Sequence, residues 1–161
     1  MTQVYVGIGS NIDREFNVRG GITRIKSLYD NVVMSQVYEC PAFGFEGKDF
    51  FNLVVGFTTD QSLSKVAEML RQIEFEFGRR RTETKYASRS LDIDILLFDD
   101  VISKEYKLPR EDILEYAFVL KPLAEIAPEY IHPEKNKTIS ELWQDHAEIQ
   151  HSMKVIDFTF D

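Results

Sequence analysis

Cysteine occurs once in the 161 residues, at Cys40, so the chain can close no disulfide of its own and holds no cysteine-rich metal site. That suits a reducing compartment, and the cytoplasm is the expected location. Positive charge is scarce: 19 Lys and Arg stand against 27 Asp and Glu, a formal charge of −8. A protein that coats nucleic acid or an anionic membrane needs the opposite excess over a whole face, so neither is an expected partner. No cationic leader precedes an apolar stretch, and no run approaches the roughly 18 apolar residues of a membrane span. Repeats, low-complexity tracts and Pro/Gly/Ser linkers are missing too, so residues 1–161 are expected to form a single domain, with a monomer favoured. The common nucleotide fingerprints fail as well. Gly7-Ile8-Gly9 has Ile12 where a third glycine would stand, and there is no Gly-Lys-Ser/Thr.

What is present reads as alternating strands and helices. Val4 to Ile8 is a β-prone run ending at Gly9-Ser10-Asn11, a turn cluster suited to capping a helix from about Asp13 to Tyr29. Val18, Ile22, Ile25 and Tyr29 step by four, three and four along it, with Gly20-Gly21 an unfavourable pair in the middle. Val32 to Cys40 reads as one strand stopped by Pro41. From Phe51 a further strand turns Leu53, Val55 and Phe57 to one side and Phe50, Asn52 and Val54 to the other. Asp60 or Ser62 caps a helix marked by Leu63, Val66, Leu70, Ile73 and Phe77, which Gly78 ends. A strand over Ser90 to Phe98 closes at Asp99-Asp100. The order strand, helix, strand, strand, helix, strand is that of an α+β, ferredoxin-like βαββαβ core: an antiparallel sheet with helices on one face. Beyond it, Phe118 to Ile126 and Ile139 to Trp143 predict a C-terminal helical extension, and Val155 to Phe160 an edge strand.

Two features carry chemistry. In Leu91-Asp92-Ile93-Asp94-Ile95, strand alternation sets Asp92 and Asp94 side by side on one face. Like charges at that spacing repel, and a hard divalent cation such as Mg²⁺ between them relieves the repulsion; a polar face turned to water gives the same pattern. Immediately upstream, Arg79, Arg80, Arg81, Lys85 and Arg89 stand against one acid, Glu83. A cationic segment running into paired carboxylates on an acidic protein suits a polyphosphate whose charge is shared between Mg²⁺ and guanidinium groups, which favours ATP. A solvated basic loop is the plain alternative. The stretch Pro41 to Asp49, with Phe43 and Phe45, is more apolar than a passive loop and is expected to line a pocket. His132, His146 and His151 show no helical pairing and read as surface or structural residues, and Cys40 as a small buried one.

These residues together resemble a known family. Gly9-Ser10-Asn11, Tyr38 to Pro41, Asn52, Glu74, Gly78-Arg79, Arg81, Arg89-Ser90-Leu91-Asp92-Ile93-Asp94-Ile95, Ala117-Phe118-Val119-Leu120 and Pro122 to Pro128 are similar to 6-hydroxymethyl-7,8-dihydropterin pyrophosphokinases of folate biosynthesis over roughly residues 3 to 145. The resemblance implies a ferredoxin-like core, ATP with two Mg²⁺ ions, and transfer of the terminal diphosphate to the pterin hydroxymethyl group with release of AMP. It implies that Asp92 and Asp94 hold both metal ions and that Arg79 and Arg89 stabilise charge on the transferred group. Glu74, Arg81, Lys85, Tyr86 and Ile95 would lie on the nucleotide side. Phe50 and Phe118 would sandwich the pterin, with Asn52, Cys40 and the backbone near Pro41 and Phe43 around its edge.

The chain departs from the family pattern in four places. Tyr86-Ala87-Ser88 stands where Trp-Gly-Pro is usual, Arg110-Glu111-Asp112 follows Leu108-Pro109 where a His and an Arg are usual, Tyr116 replaces an Arg, and Cys40 stands where a Thr is common at the pocket edge. The first three changes touch loop closure and ATP contacts. Two further readings therefore stay open: a catalytically weakened pterin-binding paralogue with a regulatory role, and a ferredoxin-like regulatory module whose two aspartates are merely exposed.

Overall fold

In β1 (Thr2–Ser10) the residues Val4, Val6 and Ile8 alternate with Tyr5, Gly7 and Gly9, and the strand runs through the sheet with partners on both sides. The computed structural model describes residues 1–41, 48–78, 90–146 and 153–158. The elements after β1 are α1 (Arg14–Leu28), β2 (Asp30–Met34), β3 (Val37–Cys40), β4 (Phe50–Thr59), α2 (Leu63–Glu76) and β5 (Asp92–Phe98). Then come α3 (Asp112–Glu115), α4 (Ala117–Ile126), α5 (Ile139–Asp145) and β6 (Lys154–Ile156). The sheet runs β5-β1-β4-β3-β6, with β2 also on β4, and its pairings are antiparallel. That is the expected ferredoxin-like core, with β6 added at one edge.

The expected strand from Val32 to Cys40 is two strands. Ser35 divides them: its backbone N–H donates to the Val54 carbonyl at 2.9 Å, while its buried hydroxyl accepts the Val54 N–H at 2.9 Å and so replaces a ladder partner. The chain jogs there, and both pieces stay on β4. The capping expected of Gly9-Ser10-Asn11 is also different. Asp13, in a left-handed conformation with φ 43°, precedes α1 and gives no side-chain cap. The Ser10 hydroxyl instead donates to the Ser90 carbonyl, and Asn11 Nδ2 to the Lys48 carbonyl at 3.1 Å, tying three segments together at one end of the sheet. For α2 the cap is Ser62, whose hydroxyl accepts from Lys65 N–H at 3.2 Å.

Gly20 and Gly21, unfavourable for a helix in isolation, are sockets. A Cβ at Gly20 would stand 2.3 Å from the Phe77 ring and one at Gly21 3.0 Å from Leu91, so the pair lets α1 approach the end of α2 and the start of β5. The sheet is apolar on both faces. Val6, Ile8, Leu53, Val55, Phe57, Ile93 and Ile95 pack beneath α1 and α2, joined by Ile22, Leu70 and Ile73. Tyr5, Val54, Leu96 and Leu97 face the opposite way, against α3, α4 and α5. Between Tyr5 and Val6 the β1–β5 register slips by one, leaving Leu96 as the extra residue, so Leu96 and Leu97 both serve the second core.

Candidate functional site

Asp92 and Asp94 sit on β5 directly across from Gly9 and Gly7 of β1, and these glycines in turn face Asn52 and Val54 of β4. Tyr38 pairs with Asn52 and Cys40 with Phe50. Opposed residues in a sheet share a face. Asp92, Asp94, Asn52, Phe50, Tyr38 and Cys40 therefore all project to one side, with a strand bare of side chains between the carboxylates and the β4 residues. Gly9 leaves room for Asn52: a Cβ there would fall 2.9 Å from Asn52 Oδ1 and push that amide aside.

Asp94 is strongly perturbed by its surroundings. Burial, and after it the charge of Asp92, push the Asp94 carboxyl far above its ordinary range, while Arg110 pulls it part of the way back and Glu74 and Asp112 add to the rise. Arg110 Nη2 lies 3.9 Å from Asp94 Oδ1, a long ion pair between half-buried groups. Its Nε donates to the Ile95 carbonyl at 3.0 Å. Among the described residues no group of three or more His, Cys, Asp or Glu side chains forms a metal cage. Two carboxylates on one face, with no further described carboxylate, His or Cys grouped with them, fit a Mg²⁺ ion that takes its remaining ligands from phosphate and water.

At the other end, Phe118 lies on the first turn of α4, and Tyr116 stacks on it at 5.0 Å with ring planes 21° apart. The helix is held to the sheet by Glu125, which accepts from the Tyr38 hydroxyl and from Gln36 N–H at 3.1 Å, while Lys121 Nζ stands 5.8 Å over the Tyr38 ring. Cys40 is buried. Burial pushes its thiol up to about 11, against the pull of a hydrogen bond with Asn52, so it is an unreactive packing residue.

Several expected residues take roles that spacing alone does not reveal. Glu74 is buried on α2 and accepts the Ile93 N–H at 2.7 Å. Ile95 has its side chain in the core and only its backbone at the sheet edge. Pro41 directly follows β3. Phe43, Arg79, Arg81, Lys85, Tyr86 and Arg89 lie outside the described residues. Two open depressions, of about 490 and 360 Å³, lie away from the carboxylates: one beside Arg14, Phe16 and Phe51, the other beside Arg71, Phe75 and Tyr106. His132 is structural: its Nδ1 accepts the N–H groups of Glu134 and Lys135 at 3.2 and 3.1 Å. Arg110 was not among the expected site residues. Its partner Asp94 is on another element, and no local pattern announces the contact.

Strand order defines a ferredoxin-like α+β domain, with a shelf on one sheet face that carries Asp92 and Asp94 on one side of a glycine-bearing strand and Phe50 and Asn52 on the other. A sequence model of the 7,8-dihydro-6-hydroxymethylpterin-pyrophosphokinase family matches residues 5–128, and the chain belongs to that family. The 2-amino-4-hydroxy-6-hydroxymethyldihydropteridine pyrophosphokinase of Aquifex aeolicus is 34% identical over 145 residues, covering 88% of this chain and 90% of the relative. The Bacillus subtilis protein of the same name is 32% identical over 159 residues, covering 95% and 93%. Among solved structures, a variant of Plasmodium falciparum HPPK-DHPS aligns with a TM-score of 0.76 at 14% identity, over 96% of this chain and 49% of that longer one. This chain spans about half of that protein, and the likeness carries the fold alone. No described helix is long and apolar enough to cross a membrane.

Proposed function

We propose that the protein transfers the terminal diphosphate of ATP to the hydroxymethyl group of 6-hydroxymethyl-7,8-dihydropterin and releases AMP; relatives over most of its length are named pyrophosphokinases of a hydroxymethyldihydropteridine. The observation that carries the reading is the shared face: Asp92 and Asp94 at one end, Phe50 and Asn52 at the other, and a glycine strand between them. Asp92 and Asp94 hold two Mg²⁺ ions, which when bound neutralise phosphate oxygens and orient the chain of phosphates. Attack at the β-phosphorus needs charge neutralisation and an aligned hydroxyl more than a strong base. The chain's own contribution is therefore positioning. Phe50 and Phe118 stack on the two faces of the pterin, and Asn52 with the backbone near Pro41 and Phe43 reads its amide-like edge. Arg79 and Arg89 stabilise charge on the transferred group, with Arg81, Lys85 and Tyr86 on the nucleotide side. The reaction is proposed to run in the cytoplasm, on a monomer.

The test is pterin-dependent AMP release from purified protein with ATP and Mg²⁺, beside an Asp92→Ala/Asp94→Ala control. AMP that vanishes in the control supports the reading. Folded protein that binds the pterin and yields no AMP overturns it in favour of a non-catalytic paralogue.

A further inference from the structure

Among the described residues, β5 is the outermost strand on its side of the sheet, with β1 its one strand neighbour. Its two inward-pointing isoleucines, Ile93 and Ile95, alternate with the carboxylates and turn peptide groups toward the open edge. An open edge leaves such groups to water or to a stray strand. Here two side chains of opposite charge occupy it. Glu74 of α2 accepts the Ile93 N–H at 2.7 Å. Arg110 donates from Nε to the Ile95 carbonyl at 3.0 Å and from its own backbone N–H to the Leu96 carbonyl at 3.0 Å. Ile93 and Ile95 are the residues on either side of Asp94, so the strand is braced one peptide before and one peptide after those that flank this carboxylate, from α2 and from the segment leading into α3.

We propose that Glu74 and Arg110 are positioning residues that hold the free edge of β5 so that Asp92 and Asp94 stay side by side, ready for a divalent cation. The proposal rests on the reading that this pair holds Mg²⁺. The physical need is direct. Two adjacent carboxylates push apart before the cation arrives, and an edge strand with a partner on one side only yields by twisting or bulging. A site that wanders by more than about 0.5 Å loses its geometry, and removing the outer hydrogen-bond partners of metal ligands costs about 10-fold to 100-fold in affinity. Glu74 acts on a backbone N–H, for which a neutral amide oxygen serves as well. Arg110 spans a carbonyl and a carboxylate with one planar fork, which a lysine cannot do.

The experiment measures Mn²⁺ binding by spin resonance on the full chain with a non-hydrolysable ATP analogue, together with amide hydrogen exchange across β5. The variants are Glu74→Ala, Glu74→Gln and Arg110→Lys, with Asp94→Asn as reference. The expected result is that Glu74→Ala and Arg110→Lys weaken Mn²⁺ binding about 10-fold to 100-fold and speed exchange at Ile93, while Glu74→Gln stays close to the wild type. If Glu74→Gln fails as badly as Glu74→Ala, the carboxylate acts by its charge and the brace is wrong; wild-type binding by Glu74→Ala or Arg110→Lys also overturns it. If Glu74→Ala does not fold, the Glu74→Gln and Arg110→Lys arms decide. Wild-type Mn²⁺ binding by Asp94→Asn sinks instead the reading of the carboxylate pair as the metal site.

Discussion

The two faces of the sheet are made from the same strands and have been put to opposite uses. On the α1/α2 face, Val6, Ile8, Leu53, Val55, Ile93 and Ile95 are buried in an apolar layer. On the other face the same strands present Gly7, Gly9, Asn52, Asp92 and Asp94 near one end, and among the described elements α3, α4 and α5 cover the remaining length. Neighbours in sequence thus differ completely in consequence: Asn52 belongs to the site and Leu53 to the core. Stability is concentrated on the closed face, which frees the open one to keep groups that burial would normally exclude.

Substitutions at neighbouring positions sharpen this contrast. The largest effect is expected for Asp94→Asn, which should lower AMP release at least about 1,000-fold, because several kcal/mol of charge stabilisation by the metal are lost. Its midpoint of thermal unfolding should hold or rise, since a carboxyl pushed up by burial and by Asp92 no longer has to ionise there. A marked loss of stability would break the division between the faces. Leu53→Ala is the mirror case: about 2–5 kcal/mol of stability in urea unfolding, with the KM for pterin unchanged below the unfolding transition. Gly9→Ala drives a methyl against Asn52 Oδ1, so Asn52 must move; the KM for pterin should rise up to about tenfold with little change in the urea midpoint. The smallest effect concerns His132, in the extension beyond α4. Burial holds it below its ordinary 6.5, so the unfolded chain binds a proton that the folded chain refuses. Stability from this source is complete above pH 6.5 and declines as pH falls below it. A urea midpoint that His132→Gln renders flatter over that window would confirm the sign.

Local pattern carried much of this fold. The steps from Leu63 to Ile73 mark α2, and the alternation at Asp92-Ile93-Asp94-Ile95 assigns each residue to its face, because both signals depend only on neighbours along the chain. Features that depend on distant partners were invisible. The split at Ser35 needs Val54, and Gly20 looks like a defect until Phe77 fills the space above it. The same limit applies to the site. Asp92, Asp94, Asn52 and Phe50 fall on one face as strand alternation requires, whereas Arg110 enters only because the segment after β5 folds back along its edge. Tyr116 stacks on Phe118, and among the described residues Arg110 is a cation beside Asp94.

The extra residue at Leu96 acts as a phase shift in the strand. Upstream of it, even-numbered positions look toward the carboxylate shelf; downstream, Leu97 does, and Phe98 returns to the layer under the helices. One strand thereby carries two reading frames, one that displays charge and one that seals the far end of the domain. Substituting Leu96 alters only its own packing. Deleting it removes the bulge and joins Ile95 directly to Leu97 in regular alternation, so the two aspartates, Leu97 and Phe98 all keep their faces and only the packing of Leu96 is lost. What the insertion adds is a second consecutive leucine on the face that carries the carboxylates, a wedge of apolar surface set against α3, α4 and α5.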